Sequence, residues 1–166
     1  MFETVKITTP TELFTFKLGA ALTMENTIVG MLEQLIEEAN GSDLKRDLRT
    51  HLEETQAHVR NIEQAFQSLG SEPDEQPCPA IEGIEKEGQA NLRLTDEPLK
   101  DDVILAGCAE TEHHEIAVYE NLITHADAMG HDDIVALLRE NLEQEQATLG
   151  KVMKAALKNA QQKTAV

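Results

Sequence analysis

Aromatic residues are scarce in this chain. Its 166 residues include no tryptophan, one tyrosine and four phenylalanines. Alanine, leucine, glutamate and glutamine are abundant instead, and that balance argues against a strand-rich fold and favours helices. A chain of this length is sufficient for one domain with a substantial hydrophobic core. We therefore expect a single all-α domain over residues 1–166.

The chain also has few cysteines and lacks long apolar runs. Cys78 and Cys108 are the two cysteines, too few for a disulfide framework, and Cys108 is expected to be a small buried hydrophobe. No stretch approaches the roughly 18 apolar residues of a membrane-spanning helix. The start MFETVKITTP lacks the basic and apolar regions of a signal peptide. We therefore expect a reduced, cytoplasmic protein outside the membrane.

Basic residues are outnumbered by acidic ones. The chain has 14 lysines and arginines against 31 aspartates and glutamates, for a formal net charge of -17. Such a chain repels nucleic acid and anionic membranes, so neither is expected as a partner. The acidity suits a protein that attracts cations, although a well-hydrated surface accounts for most of it.

Start and stop signals predict four long helices and a short one. The run from Thr9 to Glu12, TPTE, is typical of a capping box with proline at the first helical position. Ser42 can cap the second helix, while Gly70 and Gly130 end helices. The long helices are predicted over residues 10–39, 42–69, 98–129 and 132–160, and the short one over 80–92.

The connections between these helices differ in length. Those near residues 40 and 130 are tight and make antiparallel neighbours, whereas the second and third long helices are joined by a long link. Two antiparallel hairpins with a long crossover are the connectivity of a ferritin-like four-helix bundle. We therefore predict that fold, with a short fifth helix in the crossover.

Each long helix carries an apolar stripe at three-four spacing that ionisable side chains interrupt. The interruptions lie near the middle of each helix, so side-by-side packing would bring them to one layer of the core. They are Glu25 in the first helix, His51, Glu54 and His58 in the second, Glu112 and Glu115 in the third, and Glu145 in the fourth.

Several carboxylates buried in one layer repel one another and lose their hydration. Either most of them are protonated or cations neutralise them. Two divalent metal ions would offset the charge and accept oxygen and imidazole ligands. The predicted ligands of two iron or manganese ions are Glu25, Glu54, His58, Glu112, Glu115 and Glu145.

Each of these residues has an ordinary alternative when taken alone. A lone glutamate on a stripe usually reaches water, and a lone histidine usually has its hydrogen bonds satisfied within the core. The metal site is favoured because the interruptions of all four helices agree in face and in depth. Three roles stay open for His51: a metal ligand, a hydrogen-bond partner that orients Glu54, or a core residue. Tyr119 either contacts the metal ligands and positions them or only packs in the core. His113 and His114 are expected at the surface.

The chain resembles the YciE/YciF family of stress proteins over nearly its whole length. The likeness is clearest in HLEETQAHVRNIEQAFQSLG and in CAETEHHEIAVYENLITHADAMGHDDIVALLRENLEQEQAT. The resemblance implies a ferritin-like bundle of five helices, a homodimer and a stress-related role. It also implies a dimetal site similar to that of rubrerythrin, with Glu25, Glu54, Glu112, Glu115 and Glu145 as ligands.

Two motifs depart from the ferritin-like di-iron pattern. Such proteins usually carry Glu-x-x-His in two helices, whereas this chain has Glu54-x-x-x-His58 and Glu145-x-x-Thr148. Fewer imidazoles bind iron less tightly, so the metal and its redox activity stay open.

The sequence supports two functions of different kinds. One is a di-iron oxidoreductase-like activity toward peroxide or oxygen. The alternative is a non-enzymatic, stress-protective helical dimer whose carboxylates hold a structural metal or none. An iron store ranks behind both, because it needs a cage of many subunits.

Overall fold

The computed structural model describes residues 6–164, and this part of the chain is an all-α bundle. The predicted ferritin-like fold with a fifth helix is confirmed. The helices are α1 (Pro10–Glu38), α2 (Ser42–Ser68), α3 (Pro79–Leu94), α4 (Lys100–Ala128) and α5 (Asp132–Thr164), with a 3₁₀ turn over Glu97–Leu99 before α4. The largest difference from the predicted bounds is at the end of α5, which continues to Thr164.

The start of α1 and the ends of α2 and α4 follow the signals in the sequence. The Thr9 hydroxyl accepts from the backbone N–H of Glu12 at 3.2 Å, and the Glu12 carboxylate accepts from the backbone N–H of Thr9 at 3.1 Å. The predicted capping box is therefore present. Gly70 and Gly130 have positive φ angles of 73° and 75°, which glycine adopts without a steric penalty.

The hydrogen bonds at the turn between α1 and α2 differ from the predicted ones. Ser42 makes no side-chain cap, so that prediction is wrong. Instead the carboxylate of Asp101, in the first turn of α4, accepts the backbone N–H groups of Asn40 at 2.7 Å and Gly41 at 2.9 Å. A residue about 60 positions away thus satisfies the turn, and it ties the first hairpin to the second.

The bundle consists of two hairpins that pack face to face. α1 pairs with α2, α4 pairs with α5, and the hairpins meet through contacts of α2 with α5 and of α1 with α4. α3 lies across α4 and α1. Apolar side chains fill the core on both sides of a central polar layer, and fully buried examples are Phe14, Leu18, Ile28, Ile62, Phe66, Ile104, Leu122 and Leu138.

Candidate metal centre

Six ionisable side chains form a buried layer at the middle of the bundle. All four long helices contribute, and no residue of the six is more than 5% exposed. The six residues are Glu25 from α1, His51 and His58 from α2, Glu112 and Glu115 from α4, and Glu145 from α5.

Helical spacing explains why these side chains share one layer. His51 and His58 are seven residues apart, which is close to two full turns, so both face the core. Thr55 lies between them, and its hydroxyl donates to the backbone carbonyl of His51 at 2.9 Å. Glu112 and Glu115 are three residues apart on α4, which also places them on one face.

The six side chains make two overlapping groups of potential ligands. One consists of Glu25, His58 and Glu145, and the other of His51, Glu112, Glu115 and Glu145. Within each group, one ligand atom per residue lies within 4.8 Å of the others. Glu145 belongs to both groups, so its carboxylate stands where one ligand could bridge two cations.

Contacts around His58 orient its ring toward the carboxylates. Its Nδ1 is 2.7 Å from Glu145 Oε1 and 3.8 Å from Glu25 Oε2. Its Nε2 is 2.8 Å from Gln144 Oε1, a contact that favours a proton on Nε2 and leaves Nδ1 free to bind a metal. In the second group, His51 Nε2 is 3.0 Å from Glu112 Oε1.

Many polar atoms of this layer have no hydrogen-bond partner among the described residues. They include both carboxylate oxygens of Glu115, one oxygen each of Glu25, Glu112 and Glu145, and Nδ1 of His51, while Nδ1 of His58 and Oε1 of Glu145 have only each other as a close partner. Unsatisfied buried polar atoms are rare and costly in proteins. Metal ions would satisfy several of them at once, so the residues present fit a cation.

Burial and mutual contact shift the pKa values of these groups. Burial lowers the pKa of His51, but the carboxylates of Glu112 and Glu54 outweigh it and raise that pKa to about 10. Burial likewise lowers the pKa of His58, and Glu145 with Glu25 raises it to about 10. The metal-free layer therefore holds both imidazoles protonated at neutral pH.

Three carboxyl groups of the layer also have raised pKa values, and for a carboxyl group a raised pKa favours the neutral form. Burial is the main cause that raises the pKa values of Glu25, Glu115 and Glu145 above those of ordinary glutamates. A bound metal ion would have to displace any proton that these carboxyl groups hold, so metal binding and proton release are linked.

The structure brings five of the six predicted ligands together and leaves one apart. Glu25, His58, Glu112, Glu115 and Glu145 fall into the two groups, and they are joined by His51, whose role the sequence had left open.

Glu54 lies outside both groups. Its side chain is 28% exposed, and Oε2 is 3.8 Å from His51 Nδ1 and accepts from the Thr148 hydroxyl at 3.4 Å. Glu54 as a ligand stays a prediction.

Tyr119 and Asn141 form a polar chain beside the first group. The Tyr119 hydroxyl donates to the Glu25 carboxylate and accepts from Nδ2 of Asn141 at 3.0 Å. Asn141 also contacts the backbone carbonyl of His58 and accepts from Asn61 at 2.7 Å. Tyr119 thus holds Glu25 in place in addition to packing in the core.

Sequence reasoning missed Asn141 and Gln144. Three-four spacing of apolar residues on the fourth helix predicts that Leu142 and Leu149 face the core, yet these side chains are half-buried, while Asn141 and Thr148 are buried. The available signal was the spacing of Asn141, one turn before Glu145 on the same face.

Three other side chains belong to neither group. His113 is exposed as expected, but His114 is half-buried, and burial lowers its pKa. Its partial burial differs from the expected surface position. Cys108 is buried as predicted, and burial raises the pKa of its thiol to about 12, so the thiol is protonated and unreactive at neutral pH.

Fold and site together define a class of protein: ferritin-like helical bundles with carboxylate and imidazole groups in the core layer. Residues 9–165 match the family described as domain of unknown function DUF892. The chain belongs to this family, which includes the YciE/YciF stress proteins. No helix within residues 6–164 combines the length and apolar character needed to cross a bilayer.

Known proteins of similar sequence and fold support this assignment. Protein YciF of Escherichia coli strain K12 is 29% identical over 154 residues, which cover 92% of this chain and 93% of YciF. The crystal structure of that stress protein matches with a TM-score of 0.88 at 28% identity, covering 93% of this chain and 99% of YciF. YcfI of Rhodopseudomonas palustris, described as a putative structural protein, matches with a TM-score of 0.87 at 38% identity, covering 91% of this chain and 97% of YcfI.

Proposed function

We propose that this member of the stress-protein family binds two divalent ions, iron or manganese, in the buried layer and reacts with peroxide or oxygen there. The observation that carries the proposal is the pair of ligand groups that overlap at Glu145. Carboxylates from several helices combined with imidazoles are the ligand set of di-iron and di-manganese bundles. Bound iron would supply the electrons that reduce peroxide or oxygen.

The chain's own residues would prepare the site for that role. Gln144 fixes the ring of His58, so Nδ1 faces the carboxylates. Tyr119 and Asn141 hold the Glu25 carboxylate from the other side. Burial of all six ligand side chains keeps bulk water away, which strengthens their interaction with a cation.

Metal content per chain tests the proposal. The protein is produced in medium with iron and manganese and purified without chelator or a metal-binding tag. We expect about two ions per chain. Glu145→Gln removes the ligand that both groups share and is expected to lose most of the metal. Glu143→Gln is the matched control, because Glu143 is exposed on the same helix and the charge change is identical.

The chemistry is then tested with the metal-loaded protein. Fe(II) oxidation by peroxide is followed by absorbance, and the Glu143→Gln variant should match the wild type while Glu145→Gln falls to the buffer rate. Oxidation no faster with wild-type protein than in buffer would reject the oxidoreductase role. Absence of bound metal in the wild type would reject the dimetal site itself.

A structural, stress-protective role is the second candidate. It is favoured by the metal-free charge balance, because the protonated His51 and His58 offset nearby carboxylates. The description of the Rhodopseudomonas palustris relative as a putative structural protein points the same way. This role predicts a stably folded metal-free protein with no turnover, and a turnover number well above background would exclude it.

The quaternary structure and location complete the proposal. We expect a homodimer in the cytoplasm that binds neither nucleic acid nor membrane, as the family resemblance and the acidic charge suggest. Light scattering coupled to size exclusion measures the mass, for which the chain of 18.4 kDa is the unit. A mass equal to one chain would contradict the dimer, and cell fractionation tests the location.

A further inference from the structure

A groove leads from the surface to one end of the buried layer. It has a volume of about 400 Å³ and lies between the first half of α2, the start of α4 and the second half of α5. His51 and Glu112 are among its lining residues, and both belong to the same ligand group. Glu54 and Thr148 also line it. The groove therefore reaches potential ligands of the proposed metal centre directly.

A wider cavity under α3 makes a useful contrast. It has a volume of about 830 Å³ and is lined by residues of α1, α3 and α4, among them Met31, Leu92 and Ile104. None of the six residues of the two ligand groups lines it. Size alone therefore does not identify the path to the metal centre, and the smaller groove is the one that reaches it.

The residues of the groove form a continuous series of potential ligands. Glu54 is partly exposed, and its Oε2 lies 3.8 Å from Nδ1 of His51. That nitrogen is buried and has no hydrogen-bond partner among the described residues. On the other side of the ring, Nε2 of His51 lies 3.0 Å from Glu112, which shares its group with Glu145. A cation at Glu54 would thus have its next ligand within reach at each stage, and His51 would release its proton as it binds the ion.

The charges along the groove favour a cation over an anion. Asp101 lines it together with Asp43 and Asp47, which both pair with Arg46. Lys151 and Lys158 also line it. With Glu54 and Glu112 included, the five carboxylates that line the groove outnumber the two ammonium groups and the His51 imidazolium. A cleft lined mainly by one sign of charge focuses the field and raises the local concentration of counter-ions.

We propose that this groove is the route by which divalent cations reach the buried centre, and that Glu54 is the carboxylate that binds them before they reach His51. The proposal rests on the proposed dimetal site and adds its route of loading. It gives Glu54 a role that its position outside both ligand groups supports. Glu54 then acts on the rate of uptake, while the resident ligands determine how many ions are held.

The kinetics of Co²⁺ uptake test this route. Co²⁺ is mixed with metal-free protein in a stopped-flow instrument, and visible absorbance gives both the rate and the final amount bound. Glu54→Gln is expected to load about tenfold more slowly while reaching the wild-type amount. Glu53→Gln is the matched control, because Glu53 is the exposed neighbour on the same helix and does not line the groove.

Two further variants change the groove without touching Glu54. Ala155→Phe places a ring in the groove and should slow uptake, whereas Ala160→Phe, on an exposed site of the same helix outside the groove, should not. Lys158→Glu makes the lining more acidic and should speed uptake at low salt. All variants are expected to reach the same final amount of bound Co²⁺.

The possible results separate this proposal from the one it rests on. Wild-type protein that binds no Co²⁺ would overturn the dimetal site and its loading route together. Full binding with an unchanged rate in Glu54→Gln would overturn the route alone. A lower final amount in Glu54→Gln would also overturn it, because Glu54 would then be a resident ligand. Slow uptake to the full amount supports the route.

Discussion

The hydroxyl of Tyr119 connects the candidate ligand Glu25 to Asn141 deep in the core. It donates to the Glu25 carboxylate and accepts from Asn141 at 3.0 Å. Burial raises the pKa of Tyr119 well above its ordinary value, so the phenol remains a donor. Tyr119→Phe would remove the donor to Glu25 and one acceptor of Asn141, and we expect the free energy of unfolding to fall by about 1–3 kcal/mol. Urea unfolding of metal-free protein measures it.

A double-mutant cycle provides the control for this prediction. Glu25→Ala removes the acceptor, so Tyr119→Phe should cost less in that background than in the wild type. Equal costs in the two backgrounds would show that the hydrogen bond to Glu25 contributes no coupling energy. The loss would then come from Asn141 or from packing.

The two buried histidines predict how stability without metal depends on pH. The pKa values of His51 and His58 are raised from the ordinary 6.5 to about 10 in the folded state. The folded protein therefore binds more protons than the unfolded chain between those values, and stability falls as pH rises. The contribution is fully present below pH 6.5 and is lost as pH passes through about 10.

Thermal unfolding in the presence of a chelator checks this trend. We expect the midpoint temperature to fall steadily from pH 6.5 to about 10. A His51→Gln, His58→Gln double variant should lose most of that slope, whereas the exposed His113→Gln variant should keep it. A wild-type midpoint that is constant across the interval would contradict the protonated state of the layer.

The crossover segment is held against α1 by one close backbone approach. Gln76 donates its backbone N–H to the carbonyl of Gly19 at 3.1 Å. A Cβ atom at Gly19 would overlap the carbonyl oxygen of Asp74. Since that atom belongs to the backbone, Gly19→Ala must displace the crossover, and we expect it to lower the free energy of unfolding by about 1–3 kcal/mol. Denaturant unfolding measures the change.

Gly30→Ala is the matched control on the same helix. A Cβ atom at Gly30 would meet nothing within 4 Å, and alanine favours a helix over glycine by about 1 kcal/mol. This variant should therefore be as stable as the wild type or more so. If Gly19→Ala were equally harmless, the crossover would be free to move away from α1.

Periodicity predicted the helices well, and its limits appear at the edges of each stripe. On α2 the buried residues His51, Thr55 and His58 follow one another at steps of four and three. Glu54 is adjacent to Thr55, the centre of that face, and is rotated about 100° from it. Three-four spacing is compatible with either Glu54 or Thr55 on the buried face. It therefore could not show that Thr55 is buried while Glu54 lines the groove.

The same ambiguity explains the error on α5. From Leu138, a step of three leads to Asn141 and a step of four leads to Leu142, and hydrophobicity favoured the leucine. The packing of α5 against α4 and α2 selects Asn141 instead. Likewise, the acceptor for the turn after α1 is Asp101, a partner distant in sequence. Local patterns contain no information about such a contact.

The whole molecule is strongly acidic, and this affects its stability in two separable ways. With a formal charge of -17, surface repulsion opposes the compact state, so added NaCl should stabilise the protein by screening. Any cation shares this general effect. A divalent ion bound in the core layer should add stability beyond it, because it binds the folded state and not the unfolded chain.

Thermal unfolding with Mn²⁺ and with NaCl at the same ionic strength separates the two effects. We expect Mn²⁺ at about a hundred times its dissociation constant to add about 2.7 kcal/mol to the free energy of unfolding beyond the effect of NaCl. Glu145→Gln should lose this addition while keeping the NaCl effect, since the variant removes the shared ligand and leaves the surface acidic. Glu143→Gln should keep both effects. If Glu145→Gln kept the full Mn²⁺ effect, the ion would be acting at the acidic surface, and the buried layer would be stabilised by its protons alone.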